Sequence, residues 1–234
     1  MQLPTIFSAL IASLCLALTS CEPKPDVEYV PIVFEIPMTV SPLRDTIAVG
    51  DTLWLTASFP DSIMERTTQM RYRVTPQDFD FKTGFSLRQF VDAKLYFIDQ
   101  PGFTTGFTVI NKVGSATITS QRFGRLFPTY GNGHYRMRIG LVARQKGVAC
   151  LSIQDGAKSL GVYEPEPNIL FLNLSASATG HPRQPTYATT HYTINEGKTN
   201  FHLFQQHCTP IPITNPTEDN MYYEQKDTYT FVVK

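Results

Sequence analysis

Residues 130–141 read YGNGHYRMRIGL and indicate the fold class of the chain. The pair Asn132-Gly133 supplies the positive φ angles that a tight hairpin turn needs. Beyond the turn, apolar and polar residues alternate, which is the period of a strand with one buried face. The apolar positions are Tyr135, Met137, Ile139 and Leu141, and the polar positions are His134, Arg136 and Arg138. This stretch therefore predicts an antiparallel strand with one apolar and one basic face.

A second alternating stretch, residues 47–59, reads IAVGDTLWLTASF. The alternation is interrupted only by the turn at Gly50-Asp51 and predicts another half-buried strand. Trp54 falls on the threonine-bearing side, where packing under a second layer is favoured and stacking against a ligand is the alternative. The segment AVGDTLWLTASF resembles the opening strands of bacterial immunoglobulin-like modules. That resemblance implies an immunoglobulin-like β-sandwich.

Other segments of the chain continue the β pattern. Short β-branched and aromatic runs predict strands at 71–74, 94–98, 148–153, 169–174 and 228–233. Residues 29–40 carry prolines at 31 and 37, which favours an edge strand. Over 60–69 the polar run, with Asp61 or Ser62 ahead of Glu65, predicts one capped helical turn. The best helix candidate is 196–208, because Phe201, Phe204 and Cys208 recur at three- and four-residue spacing. We predict an all-β, mostly antiparallel sandwich with one short helix near the C-terminal part.

The N-terminal segment indicates where the protein resides. Residues 6–18, IFSALIASLCLAL, are apolar but too short for a bilayer-spanning helix, which needs about 20 residues. They end at Leu18-Thr19-Ser20-Cys21, which resembles the lipobox of bacterial lipoproteins. The resemblance implies that residues 1–20 are a removed signal peptide and that Cys21 carries the lipid. The basic residue that usually precedes the apolar core is absent from residues 1–5.

The lipobox resemblance sets the expected domain organisation. Residues 21–30 would form a flexible tether, and 31–234 one β-sandwich domain or two smaller β subdomains. Glu22, Asp26 and Glu28 resemble the surface-export signals of Bacteroidota lipoproteins, which leaves the periplasmic and the outward face both open. We expect a lipid-anchored protein of the outer membrane or cell surface, with the membrane as its first partner.

Charge and cysteines narrow the function further. The chain has 20 acidic and 20 basic side chains and a net charge near zero, and its sequence shows no clustered run of basic residues of the kind that phosphate binding requires. We therefore expect no nucleic-acid partner. Removal of Cys15 and lipidation of Cys21 would leave Cys150 and Cys208. In an oxidising compartment this even pair favours a disulfide, and the alternative is two buried thiols.

The sequence contains none of four common catalytic and cofactor-binding motifs. The chain has no H-E-x-x-H, G-x-S-x-G, G-x-x-x-x-G-K-[ST] or G-x-G-x-x-G sequence. We therefore predict no catalytic residue, no cofactor and no metal. Zinc at His202, His207 and Cys208, and calcium at Asp78 and Asp80, are minor alternatives.

Exposed aromatic residues offer a weak functional signal. The tyrosines at 130, 135, 163, 187, 192, 222 and 223 would suit a glycan surface, although strand packing explains each of them as well. The resulting prediction is a noncatalytic envelope protein that binds a glycan, a peptide or a partner protein. The alternative is a structural subunit of an envelope assembly, marked by an exposed strand edge. A hydrolase is less favoured and would need two carboxylates within about 10 Å in a cleft.

Overall fold

A computed structural model describes residues 26–66, 68–90, 102–154, 179–207 and 226–234. The chain divides into two compact units. One comprises residues 1–30 and 173–184, and the other comprises 31–172 and 185–234. In the described part of the first unit, the Glu28 N–H donates to the Pro182 carbonyl, and the Arg183 Nε lies 3.2 Å from Glu28 Oε2. Residues 1–21, with the predicted signal peptide and Cys21, lie outside the described residues.

Strands dominate the described residues, as predicted. They are β1 (Glu28–Ser41), β2 (Thr46–Ile47), β3 (Thr52–Pro60), β4 (Ser62–Met64), β5 (Arg71–Arg73), β6 (Thr83–Phe90), β7 (Phe107–Val113), β8 (Ser115–Ile118), β9 (Phe123–Phe127), β10 (Thr129–Gly131), β11 (His134–Ala143), β12 (Gly147–Gln154), β13 (Arg183–Ile194) and β14 (Thr228–Val233). The predicted strands at 94–98 and 169–174 lie outside the described residues.

The strands form two large sheets. Sheet A has the order β10-β11-β3-β1-β13, with β7 also paired to β11. Sheet B has the order β2-β14-β12-β6-β9-β8. A third, two-stranded sheet joins β4 and β5. The strand β2 pairs with β14 in parallel, whereas the pairings β1–β3, β10–β11, β11–β3, β11–β7, β12–β14, β12–β6, β4–β5, β6–β9 and β8–β9 are antiparallel. This arrangement is the β-sandwich that the alternating patterns predicted.

The core lies between the apolar faces of sheets A and B. On β3 and β11 every second side chain is buried, and Ile139 stands opposite Leu55 across the two strands with both fully buried. The Phe107 ring of β7 contacts the Phe231 ring of β14, with centroids 6.0 Å apart. Fully burying one such large apolar side chain contributes about 2 to 3 kcal/mol. The predicted alternation therefore corresponds to real burial.

Short helical segments accompany the strands in the described part of the chain. The helix α1 (Phe103–Gly106) is a single turn before β7, and α2 (Phe201–His207) follows a 3-10 turn at Asn195–Gly197. The helix predicted over 196–208 is therefore present near the C-terminal part. It begins later than predicted because Asn195, Glu196 and Asn200 all have positive φ angles, which an α-helix excludes.

The edge position predicted for residues 29–40 is wrong. The strand β1 lies inside sheet A, between β3 and β13. It tolerates its prolines because the continuous pairing with β3 begins at Met38, immediately after Pro37. Strand structure also begins at Glu28, within the 21–30 segment predicted as a flexible tether.

The capped helical turn predicted over 60–69 is also wrong. Residues 62–64 form β4, and Glu65 is fully buried rather than placed in a helix. Its Oε1 accepts the Val33 N–H at 3.1 Å, and its Oε2 accepts from the Thr68 N–H and hydroxyl at 2.6 Å each. The carboxylate therefore fixes this hairpin to β1, which lies more than thirty residues earlier in the chain.

Two asparagine side chains form hydrogen bonds to the backbone of a strand residue. The Asn195 amide accepts the Val40 N–H at 2.8 Å and donates to the Val40 carbonyl at 3.2 Å. The Asn111 amide on β7 accepts the Ala116 N–H of β8, in sheet B, at 2.9 Å and donates to the Ala116 carbonyl at 3.5 Å. Each amide thus pairs with both backbone polar groups of a single strand residue.

Among the residues that the structure describes, no helix reaches the length and apolarity needed to cross a membrane.

Candidate functional site

The outward side of sheet A is the candidate site, called here the Trp54 face. It consists of Thr52, Trp54, Thr56 and Ser58 on β3, and of His134, Arg136, Arg138 and Gly140 on β11. Their neighbours along each strand point into the core and are buried, so strand alternation leaves these side chains on the opposite side. Register places Gly140 opposite Trp54, and Arg138 opposite Thr56.

Trp54 lies over the gap left by a glycine. A Cβ atom added at Gly140 would lie 3.0 Å from Trp54 Cζ3 and 3.2 Å from Cη2, so the indole occupies the space above this residue. The Arg138 guanidinium sits 4.7 Å from the indole centroid, in cation–π geometry. Trp54 is therefore held on the surface by Gly140 and Arg138. The sequence favoured packing of Trp54 under a second layer of structure, but its partner here is an arginine side chain.

The arginines of this face carry charge that no described residue neutralises in an ion pair. Arg136 and Arg138 are exposed, and neither forms an ion pair within the described parts of the chain. The residues opposite them in the register are uncharged: Ser58 and Thr129 face Arg136, and Thr56 and Val113 face Arg138. The result is a local positive row on a protein whose net charge is near zero.

Apolar residues of β7 extend the face. Ile110 pairs with Gly140, and Val113 pairs with Arg138. Each of these two side chains is 39% exposed, so an isoleucine and a valine lie open beside the tryptophan and the arginines. The register of β7 with β11 shifts next to Arg138, and the exposed Lys112 lies at this bulge on β7. The face thus combines apolar, aromatic and cationic groups.

A polar cluster fixes the hairpin tip that begins the basic strand. Asp61 Oδ2 accepts the Tyr130 hydroxyl at 2.9 Å and Arg73 Nε at 3.2 Å. Asp61 also accepts the Val74 N–H through its carbonyl, and its own N–H donates to Gly133. Asn132 and Gly133 have φ angles of 52° and 72°, which confirms the predicted turn. The cluster therefore holds the start of β11 in place.

Electrostatics in the cluster follow from these bonds. The hydrogen bond from Tyr130, followed by the nearby Arg73, lowers the pKa of the Asp61 carboxyl. The same bond raises the pKa of the Tyr130 phenol. Asp61 is consequently ionised and engaged by two donors, an arrangement suited to structural fixation rather than proton transfer.

The predicted cysteines fall unequally within the described residues. Cys150 is buried on β12 and stands opposite Arg88 on β6 and Thr230 on β14. The Thr230 hydroxyl lies 3.9 Å from its Sγ. Cys208 and the lipidation site Cys21 lie outside the described residues, so the disulfide and the lipid anchor remain predictions.

The minor metal alternatives have plainer structural descriptions. Asp78 Oδ2 accepts the Thr75 N–H and hydroxyl at 2.8 and 2.7 Å. Asp80 accepts the backbone N–H of Lys82 and forms an ion pair with the Lys82 ammonium group. His202 and His207 are exposed on α2. Within the described ranges, no group of three or more His, Cys, Asp or Glu side chains is arranged to hold a metal ion.

The tyrosines do not gather into one surface. Tyr130 is 37% exposed at the hairpin tip, whereas Tyr135 and Tyr192 are buried. Burial raises the pKa of Tyr135, whose hydroxyl donates to the Val74 carbonyl at 3.0 Å. Tyr163, Tyr222 and Tyr223 lie outside the described residues, as does the side chain of Tyr187.

Sequence reasoning missed the central contact of the Trp54 face. The sequence predicted a basic side for β11 and a threonine-bearing side for β3, but it did not pair the two strands. The available signal was Gly140, a glycine inside a strand pattern, which often marks a close approach.

Comparisons with known proteins give distant likenesses only. No protein-family model matches this chain. No curated protein matches it. Among solved structures, the human F-spondin reeler domain aligns with a TM-score of 0.30 and 12% identity, covering 55% of this chain and 80% of that one. A type II cohesin domain from the cellulosome of Acetivibrio cellulolyticus aligns with a TM-score of 0.26 and 10% identity, covering 54% of this chain and 77% of that one.

Proposed function

We propose that this protein is a noncatalytic, lipid-anchored envelope protein that binds a ligand on its Trp54 face. The observation that carries the proposal is a pair of exposed arginines that form no ion pair with any described residue and lie beside a half-buried tryptophan. Tryptophan and arginine are the residue types that contribute most to binding energy at protein surfaces. Groups of this kind, left uncompensated on a rigid sheet, suit an external partner of opposite charge.

The rigidity of the face supports a binding role. Trp54 and Arg138 stand on the central strands of a sheet whose reverse side is fully buried core. Side chains on such elements keep their positions, which lowers the entropy cost of binding. The acidic side chains near the hairpin tip are each engaged by protein donors, so the Trp54 face is better suited to capture than to hydrolysis.

The anchor and the disulfide belong to the same proposal. Lipidation at Cys21 would attach the protein to the outer membrane or cell surface, with the Trp54 face available to material outside the cytoplasm. A bridge between Cys150 and Cys208 is supported by the chain path. The segment Thr199–Asn200 is hydrogen-bonded to Thr230, directly beside Cys150, and α2 then leads to residue 208.

The emission of Trp54 tests the proposed function, because it is the single tryptophan of the chain. The mature protein with Cys21→Ser would be titrated with size-fractionated glycans and proteins from the envelope. We expect at least one fraction to change the emission in a saturable way. We also expect a Trp54→Ala variant to lose retention on that fraction once it is immobilised. Equal retention of Trp54→Ala and the parent protein would contradict the proposal.

A second candidate function, a structural subunit of an envelope assembly, is favoured by a separate observation. The strand β7 carries the exposed residues Ile110 and Val113. Exposed apolar side chains on a strand suit contact with a neighbouring subunit. Ile110→Lys would then abolish recovery of the protein in a crosslinked envelope complex, whereas unchanged recovery would exclude this candidate.

A further inference from the structure

We propose that the ligand of the Trp54 face is an acidic polysaccharide that lies along β11. This inference rests on the proposed function and adds the chemical class of the ligand. It is carried by the linear arrangement of basic groups, by the hydroxyl row beside them, and by the position of both rows in the interior of the sheet.

The basic groups form a line. Arg136 and Arg138 are two residues apart on one face of β11, so their Cα atoms are about 7 Å apart. His134 continues the row at the same spacing, and its Nδ1 lies 3.2 Å from the Asn132 carbonyl. The two positive arginines repeated along one face of the strand match negative groups repeated along a linear polymer.

The arginines have the geometry for carboxylates. A guanidinium offers paired N–H donors that match a carboxylate or sulfate group in a bidentate manner. Arg138 is already positioned by its stacking on Trp54, so it loses less side-chain freedom when it binds. The acidic groups of a uronic-acid or sulfated sugar chain would take these positions.

A row of hydroxyl groups runs parallel to the basic row. Thr52, Thr56 and Ser58 lie on the same side of β3, and Thr56 and Ser58 stand opposite the two arginines. Short hydroxyl side chains give a flat surface with donors and acceptors for sugar hydroxyls. The apolar C–H surface of a sugar ring would pack on the neighbouring Trp54 and Ile110.

The location of the rows favours a sugar chain over an acidic peptide. Peptides commonly pair with a free strand edge or enter an apolar groove. Here the rows lie on β3 and β11, whose backbones are paired on both sides, with β1, β7 and β10 as the outer neighbours. A ligand on this face must therefore be held by side chains alone.

The test compares three probes of similar length: an oligogalacturonate, an oligomer of the corresponding neutral sugar, and poly-glutamate. Binding is followed through Trp54 emission at low and at physiological salt. We expect saturable binding of the oligogalacturonate, weakened by added salt. The double variant Arg136→Gln, Arg138→Gln should bind it about tenfold or more weakly.

The matched control is Arg125→Gln. Arg125 is exposed on β9 of sheet B and takes no part in an ion pair among the described residues. It should leave the affinity unchanged, and circular dichroism and urea unfolding of all variants establish that the fold is intact.

The outcomes separate the inference from the proposed function. Binding of the neutral sugar or poly-glutamate with equal or higher affinity would overturn the acidic-polysaccharide inference and leave a binding function for the face. An oligogalacturonate affinity that falls equally in the Arg125→Gln control would also overturn it. If neither these probes nor any envelope fraction changes Trp54 emission, both proposals fail.

Discussion

The outer faces of sheets A and B have similar residues but different surroundings. Each bears arginine beside threonine, yet Arg136 and Arg138 on sheet A are exposed, whereas Arg88 on sheet B is half-buried. Burial, followed by the proximity of Arg122, lowers the pKa of Arg88 to about 10. Thr228 and Thr230 are buried on sheet B, whereas Thr56 on sheet A is only half-buried.

The segment before and within α2 explains part of the difference. The Thr230 N–H donates to the Thr199 carbonyl, and Asn200 donates to the Thr230 carbonyl, so this segment lies against β14, and α2 packs there too. Covered polar side chains must find partners within the protein, whereas open ones remain available to a ligand. Chain connectivity thus covers the polar side chains of one face and leaves those of the other face exposed.

The largest effect is expected from the proposed bridge on the covered side. If Cys150 and Cys208 are joined, reduction opens a loop of about 58 residues and lowers the free energy of unfolding by about 4 kcal/mol. Urea unfolding with and without reductant measures this change, and a non-reduced digest identifies the joined peptides. The double variant Cys150→Ala, Cys208→Ala serves as control and should show no response to reductant. Two thiols that react with an alkylating reagent in the unreduced, unfolded protein would contradict the prediction.

A matched pair of threonine substitutions tests directly whether the two faces differ. Thr230→Asp places a carboxylate on the fully buried side of β14 and should cost about 3 kcal/mol or more, because a buried charge without a partner is strongly unfavourable. Thr56→Asp places the same group opposite the exposed Arg138 and should change stability by less than about 1 kcal/mol. Urea midpoints provide the measurement. Equal losses in the two variants would show that the faces do not differ.

Alkaline pH tests the core beneath each face. Burial raises the pKa of Tyr135 on sheet A and of Tyr229 on sheet B above the value of about 10 for unfolded tyrosine. Their stabilising contributions are therefore complete below pH 10 and are lost as the pH rises further. Tyr135→Phe should cost about 1 kcal/mol at neutral pH through its lost hydrogen bond and should reduce the alkaline loss. Tyr229→Phe is the counterpart on sheet B, and an alkaline loss identical to that of the parent in both variants would refute the assignment.

The smallest effect is expected on the Trp54 face itself. Gly140→Ala would bring a methyl group to about 3 Å from the indole, which must then shift, at a cost of about 1 kcal/mol. The emission maximum of Trp54 should move, and ligand affinity should fall with it. Gly131→Ala is the control, because a Cβ there meets nothing within 4 Å. An unchanged emission in Gly140→Ala would mean that the glycine does not position the indole.

Local patterns in the sequence predicted much of the fold. The Asn132-Gly133 turn and the alternation on β3 and β11 were correct because they depend on residues within a few positions of one another. The edge position assigned to β1 was wrong because strand order depends on distant partners such as β13. Glu65 was assigned to a helix cap for the same reason, since its partner Val33 is 32 residues away.

The candidate site was predictable only in part. The basic side of β11 and the position of Trp54 followed from the period of two along each strand. Their proximity did not, because it requires the register that sets Gly140 opposite Trp54. That Arg136 faces the uncharged Ser58 and Thr129 is likewise a property of neighbouring strands rather than of the local sequence.

The Asn111 amide on Ala116 bears on pairing between copies of the protein. It already satisfies the N–H and the carbonyl that a strand from another molecule would need for pairing with the edge strand β8. A side chain, unlike a strand, offers no further backbone for the next molecule to join. Extension of sheet B from one copy to another is therefore blocked at Ala116, which favours separate copies at the high local density that a lipid anchor would create.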